Sequence, residues 1–80
     1  MHYLYILQSQ KDGRYYIGIT NDVQRRLEEH NSGLSISTAP YKPWIIKRVE
    51  EYNDIKLAYK RERFIKAKRS RKIIEKIISS

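Results

Sequence analysis

The sequence predicts an α+β fold: a small three-stranded antiparallel sheet, built from an N-terminal hairpin and one later strand, packed with three helices in the order β-β-α-β-α-α. Three observations carry this expectation. Two apolar, tyrosine-rich runs flank Asp12-Gly13, and Asp-Gly between β-prone runs is a strong hairpin signal. A third β-prone run, Trp44 to Tyr52, stands alone in mid-chain. Between and after these runs, apolar residues recur at helical spacing behind residues that cap helices. Eighty residues make one small domain, 1–80, and a chain of this size buries only ~60% of its unfolded surface.

The first strands are expected at about residues 2 to 7 and 15 to 20. On a pleated strand Tyr3, Tyr5 and Leu7 share one face, and Leu4 and Ile6 share the other. Tyrosines at Tyr5 and at Tyr15 or Tyr16 then recur on facing strands, where tyrosine also pairs well for purely structural reasons. Thr20 or Asn21 caps a helix that runs to about Asn31, and Gly33 is a good left-handed terminator. Val23, Arg26, Leu27 and His30 form one stripe of that helix, while Arg25, Glu28 and Glu29 point elsewhere. Residues 34 to 43 show no period and read as a loop. In the third strand Trp44, Ile46 and Arg48 are opposed to Ile45, Lys47 and Val49. Asn53-Asp54 caps a helix to about Lys68, with Ile55, Ala58, Tyr59, Glu62 and Ile65 on one side. Ser70 caps a last helix whose apolar stripe is Ile73, Ile74, Ile77 and Ile78.

Three residues on these helices are out of place on ordinary packing grounds. Arg26 and His30 border a core-facing stripe. The bland readings are an aliphatic stem lying along the core and a cation at a helix C-terminus. Glu62 falls on an apolar side, where a carboxylate is costly unless paired, hydrogen-bonded or bound to a metal. Its bland reading is a buried pair with an arginine or lysine.

Charge is distributed unevenly. The net charge is +8 and the pI about 9.9. Residues 1–55 hold seven basic and seven acidic side chains, whereas residues 56–80 hold ten basic and two acidic. A basic stripe of this kind favours a polyanion, most often nucleic acid. The candidates for phosphate contact are Arg25, Lys56, Lys60, Arg63, Lys66, Lys68, Arg69, Arg71 and Lys72. There is no cysteine, so neither a disulfide framework nor a thiolate zinc site is expected. No apolar run approaches the ~20 residues that span a bilayer, and Met1 leads straight into a strand. A soluble, cytoplasmic protein is expected, associated with the nucleoid if its partner is DNA, and with no membrane contact.

With these residues in view, the chain resembles the GIY-YIG nucleases, in particular their small stand-alone bacterial form. Tyr3-Leu4-Tyr5 stands for the first signature triplet and keeps only its final tyrosine. Tyr16-Ile17-Gly18 matches the second fully. The segment from Asn21 to Gly33 resembles the family's arginine-bearing helix, with Arg26 at the essential arginine and His30 where relatives have His or Tyr. Ala58 to Lys66 resembles the segment that carries the metal-binding glutamate, at Glu62. There are departures. Some repair-type relatives carry a lysine where this chain has Ile19, and several relatives carry an asparagine beyond the glutamate helix, where none follows Asn53 here. A slimmer site, or one completed by a protein partner, is therefore expected.

The resemblance implies hydrolysis of DNA phosphodiester bonds, in duplex or branched DNA, with one divalent cation. Mg²⁺ takes one or two carboxylates plus water and phosphate oxygens, so Glu62 is the expected metal ligand, with Mn²⁺ as a substitute. Arg26 is expected on the phosphate. A tyrosine takes the proton of the attacking water: Tyr5 is favoured, with Tyr16 orienting, and the reverse assignment stays open. His30 is expected to position the nucleophile or bind phosphate. Two rivals remain: a non-catalytic nucleic-acid-binding module with the same fold, and a basic scaffold or ribosome-associated protein.

Overall fold

The computed structural model describes residues 1–80. Strand β1 (His2–Ser9) occupies the centre of the sheet, between β2 (Tyr15–Thr20) and β3 (Trp44–Tyr52), and both pairings are antiparallel. The helices are α1 (Val23–Ser32), α2 (Ile55–Lys68) and α3 (Arg71–Ser79). The element order is the predicted one. Strand β1 runs past its apolar stretch to Ser9, because Gln8 and Ser9 still find partners in Ile45 and Trp44 of β3.

Alternation along β1 divides the sheet into two faces. On the first, Leu4 and Ile6 join Ile17 of β2 and meet Ile65 of α2, with Ile74, Ile77 and Ile78 of α3 packed around them. On the second, Tyr5 and Leu7 join Trp44 and meet Val23 and Leu27 of α1, beside Tyr16 and Tyr41. The sheet thus lies between α1 and the pair α2–α3. Leu4, Ile6 and Leu7 are 0% exposed. Truncating one of them to alanine is expected to cost about 2–5 kcal/mol, a large share of the stability of so small a domain.

The hairpin reverses around Asp12-Gly13, where Gly13 has φ +81°, a backbone state that suits glycine. Buried Ser9 organises the turn: its hydroxyl accepts from the N–H groups of Lys11 and Asp12 and donates to the Tyr41 carbonyl.

Three expectations need correction. Strand β3 does not alternate evenly, because the register shifts opposite Ile6/Leu7: Arg48 faces Ile6 and Ile46 faces Leu7, leaving Lys47 as an extra residue. A bulge of this kind exchanges the faces beyond it, so Arg48 parts from Trp44 and Ile46, and Val49 rejoins them. The N-cap of α1 is Asp22, whose carboxylate accepts from Arg25 N; Asn21 instead accepts from the Arg25 side chain. On α2 only Ala58 and Ile65 are buried, Glu62 is half-buried, and Ile55 and Tyr59 are exposed. The sheet is narrow, so only the line through Ala58 and Ile65 reaches it.

Gly33 ends α1 with φ +86° and donates to the Glu29 carbonyl, as a left-handed cap does. Asp54 caps α2 and Ser70 caps α3. Between the two helices Arg69 takes a left-handed conformation, φ +47°, which turns the chain so that α3 folds back under the sheet.

Candidate active site

The β1–β2 register sets Tyr5 opposite Gly18 and Leu7 opposite Tyr16. Tyr5 and Tyr16 therefore project from the same face, and their ring centroids are 6.2 Å apart. Helix α1 crosses that face and brings Arg26 and His30 to the two rings. His30 meets Tyr16 edge-on, with centroids 4.7 Å apart. A Cβ on Gly18 would lie 2.5 Å from the Tyr5 Oη and 2.7 Å from its Cζ. The bare backbone of Gly18 is thus the floor on which the Tyr5 ring rests.

His30 is fully buried, with Nε2 3.2 Å from the Tyr5 Oη and Nδ1 2.7 Å from the Thr38 Oγ1. Burial, and then the charge of Arg26, push its pKa down, so the ring is neutral. A neutral imidazole donates once and accepts once. The Arg26 guanidinium lies close enough to the Tyr5 hydroxyl to favour its ionised form, and it can only donate. This favours the tautomer in which the Tyr5 hydroxyl donates to Nε2 and Nδ1–H donates to Thr38, whose own hydroxyl donates to the Ser35 carbonyl. Both ring nitrogens are then used, so neither is available to a phosphate or a water.

Tyr5 is itself buried, 1% exposed. Burial raises its pKa, and Arg26 opposes that rise only in part. Tyr16 is half-buried and reaches solvent. Arg26 donates from Nη1 to Glu29 Oε1 at 2.7 Å, and this bond, with Tyr5 next, holds the guanidinium firmly protonated. About a third of its side chain stays exposed, at 34%. The outer edge of the cluster therefore presents a phenol and a fixed cation.

Thr38 lies in the segment read as a loop, and periodicity gave it no signal. Only the rule that both nitrogens of a buried histidine need partners points to such a residue. Asn31 was also passed over. Its amide donates to the Trp44 carbonyl and accepts from the Trp44 N–H, at 3.1 and 2.6 Å, which anchors the end of α1 to the start of β3.

Glu62 does not join this cluster. It belongs to α2, which packs on the opposite face through Ile65. Its carboxylate is 3.3 Å from Lys66 Nζ and lines an open recess of about 490 Å³ with Tyr59, Arg63 and Arg69. No three His, Cys, Asp or Glu side chains come together in the chain. A single carboxylate on an open recess, once released from Lys66, fits Mg²⁺ chemistry when phosphate and water fill the remaining positions.

Of the basic candidates, Lys56, Lys60, Arg63, Lys66, Lys68, Arg69 and Lys72 are exposed along α2 and α3. Arg25 is exposed on α1, near Asn21 and Glu29. Arg71 is exposed as well; it bonds Glu75 at 3.1 Å and lies 5.0 Å over the Tyr15 ring, tying α3 to β2. No helix is long and apolar enough to cross a membrane.

Residues 1–75 match the family model described as the GIY-YIG catalytic domain. A UPF0213 protein of Halobacterium salinarum is 39% identical over 67 residues, covering 82% of this chain and 86% of that protein. Another, of Bacillus cereus, is 36% identical over 66 residues, covering 81% and 68%. The solution NMR structure of a UPF0213 protein of Bacillus halodurans superposes with a TM-score of 0.63 at 33% identity, covering 98% of this chain and 82% of that one.

Proposed function

The chain belongs to the GIY-YIG catalytic domain family, with UPF0213 proteins among its relatives, and on that premise we propose that it is a divalent-metal-dependent endonuclease that hydrolyses DNA phosphodiester bonds. The observation that carries this reading is the convergence of Tyr5, Tyr16, Arg26 and His30 on one face of the sheet.

The roles follow from exposure and hydrogen bonding. Tyr16 is the phenol that water can approach, so its phenolate, with its own proton already released to solvent, takes the proton of the attacking water. The sequence favours Tyr5 for that task, but burial and a raised pKa make Tyr5 a poor phenolate. Tyr5 and His30 instead hold Tyr16 and Arg26 in place from below. Arg26 binds the scissile phosphate with paired donors and stabilises the charge that develops there. Glu62 would hold a divalent cation, Mg²⁺ or Mn²⁺, which would supply charge stabilisation to a DNA phosphate lying along α2. The exposed lysines and arginines of α2 and α3 carry the flanking backbone. The setting is the cytoplasm, where chromosomal DNA lies.

Incubation with duplex, nicked, branched and single-stranded DNA, with Mg²⁺ or Mn²⁺ and with EDTA as control, tests the proposal. Metal-dependent nicking supports it; intact DNA under all conditions rejects it. One observation favours a second reading, a binding module without cleavage: Glu62 stands on the helix of the opposite face and is paired with Lys66. Binding without cleavage in the same panel selects that reading.

A further inference from the structure

A slot opens between the end of β3 and α2. Tyr52, Leu57, Lys60, Arg61 and Phe64 line it, and its volume is about 280 Å³. The four α2 residues follow the i, i+3, i+4, i+7 spacing of a single helix face. Leu57 is 52% exposed and Phe64 48%, an uncovered apolar pair on a strongly basic helix. Arg61 is fixed beside them. Its guanidinium donates to both oxygens of Glu50 at 3.0 and 3.2 Å, and its Cζ is 5.7 Å from the Phe64 centroid. Arg48 holds Glu50 as well, at 2.7 Å. The carboxylate nearest the slot is therefore neutralised twice. Lys68, just outside the slot, holds Nζ over the Phe64 ring at 4.9 Å from its centroid, and neither Lys60 nor Lys68 forms an ion pair.

An apolar ring bordered by free ammonium groups suits a ligand that is flat, apolar and anionic at once. Paired duplex DNA supplies the anion but keeps its bases stacked on one another. An unpaired nucleotide can supply both: a base stacked on Phe64, between Leu57 and Tyr52, would displace the Lys68 ammonium from the ring toward its phosphate, with Lys60 beside it. The volume agrees, since it falls just below the ~300 Å³ at which sites for drug-sized molecules begin.

We propose that this slot takes an unpaired DNA base, so that the protein engages strands with a single-stranded segment. The proposal rests on the DNA-directed reading above. Binding is measured by fluorescence anisotropy in EDTA, which prevents metal-dependent turnover. The probes are a labelled oligothymidylate, an abasic strand of the same length and charge, and a blunt duplex. Oligothymidylate is expected to bind about tenfold more tightly than the abasic strand, the scale of one base stacked on an aromatic ring. Phe64→Ser should erase that difference and leave the abasic and duplex affinities unchanged, while Phe64→Tyr should retain it. Leu57→Ser serves as a second variant should Phe64→Ser fail to fold. Equal binding of the oligothymidylate and abasic strands by the wild type overturns the proposal. So does a loss shared by all three probes, or capture of an acidic amphipathic peptide in preference to the oligothymidylate. A protein that cuts DNA yet shows no base dependence keeps the nuclease reading and loses the slot. One that never cuts leaves this test intact.

Discussion

The Tyr5 ring lies across Gly18, its direct partner in the β1–β2 ladder, so close that a single Cβ there would sit 2.5 Å from the Tyr5 hydroxyl oxygen. Gly18→Ala should therefore push the ring off the sheet and break its bond to His30. Overpacking of this kind costs about 1–3 kcal/mol. Thermal unfolding should show the loss, and nicking should fall with it. An alanine variant as stable and active as the wild type would mean that the ring adjusts freely.

The Thr38 hydroxyl accepts from His30 Nδ1–H and donates to the Ser35 carbonyl. Thr38→Val leaves that buried donor unpaired and should cost about 1–3 kcal/mol. Thr38→Ser should recover most of it. ¹⁵N spectra of the histidine ring should show the proton on Nδ1 in the wild type and a changed ratio in the valine variant. A proton on Nε2 in the wild type would reverse the direction of the whole Tyr5–His30–Thr38 chain.

Acid should weaken the fold through His30. Its pKa is lower in the folded state than the ordinary 6.5, through burial and the charge of Arg26. Below about pH 6.5 the unfolded chain binds a proton that the folded chain does not, so stability rises with pH across that window and falls on acidification. His30→Gln should flatten this part of the curve in denaturant titrations. At lower pH Glu50 adds a second loss. Burial raises its pKa, but bonds from Arg61, Arg48 and Tyr52 outweigh that and hold it below the usual range. Its contribution disappears as the pH falls through that lowered value.

Tyr16→Phe should reduce nicking by about 10²–10⁴-fold, the usual weight of a general base, with DNA affinity unchanged. Tyr5→Phe should cost less activity and about 1 kcal/mol of stability, because it removes one buried hydrogen bond. The opposite ranking would return Tyr5 to the base role. Glu62→Gln should abolish nicking and spare binding. Lys66→Ala, which frees the carboxylate, should lower the Mg²⁺ concentration needed for half-maximal nicking.

Binding through α2 and α3 should be steeply salt-dependent. Four to six phosphate contacts give a log–log slope of about −4 to −5. Reversing the charges of Lys68, Arg69 and Arg71 together should weaken every DNA ligand alike and flatten that slope. Arg71 also ties α3 to Tyr15, so circular dichroism must first show the variant folded. Unchanged binding would move the contact surface to Arg26, Lys42 and Lys47.

The sequence by itself determined the elements and most of their ends. Period-two runs, Asp12-Gly13, Gly33, Asp54 and Ser70 act through neighbours in the chain, so local chemistry suffices to read them. It put a tyrosine of the second strand beside Tyr5 but left Tyr15 and Tyr16 as alternatives; the pairing of Leu7 with Tyr16 selects Tyr16. Tertiary structure decided the rest. Whether Tyr5 or Tyr16 meets water depends on how α1 lies over them. Thr38 becomes the partner of His30 only because the 34–43 segment folds back beneath α1. The bulge at Lys47 arises from pairing with β1, and nothing in the β3 sequence announces it. Glu62 reads as a core residue on a helical wheel but emerges half-exposed, since the narrow sheet reaches only Ala58 and Ile65. In each case the deciding contact joins residues far apart in the chain, and burial, not local pattern, sets its outcome.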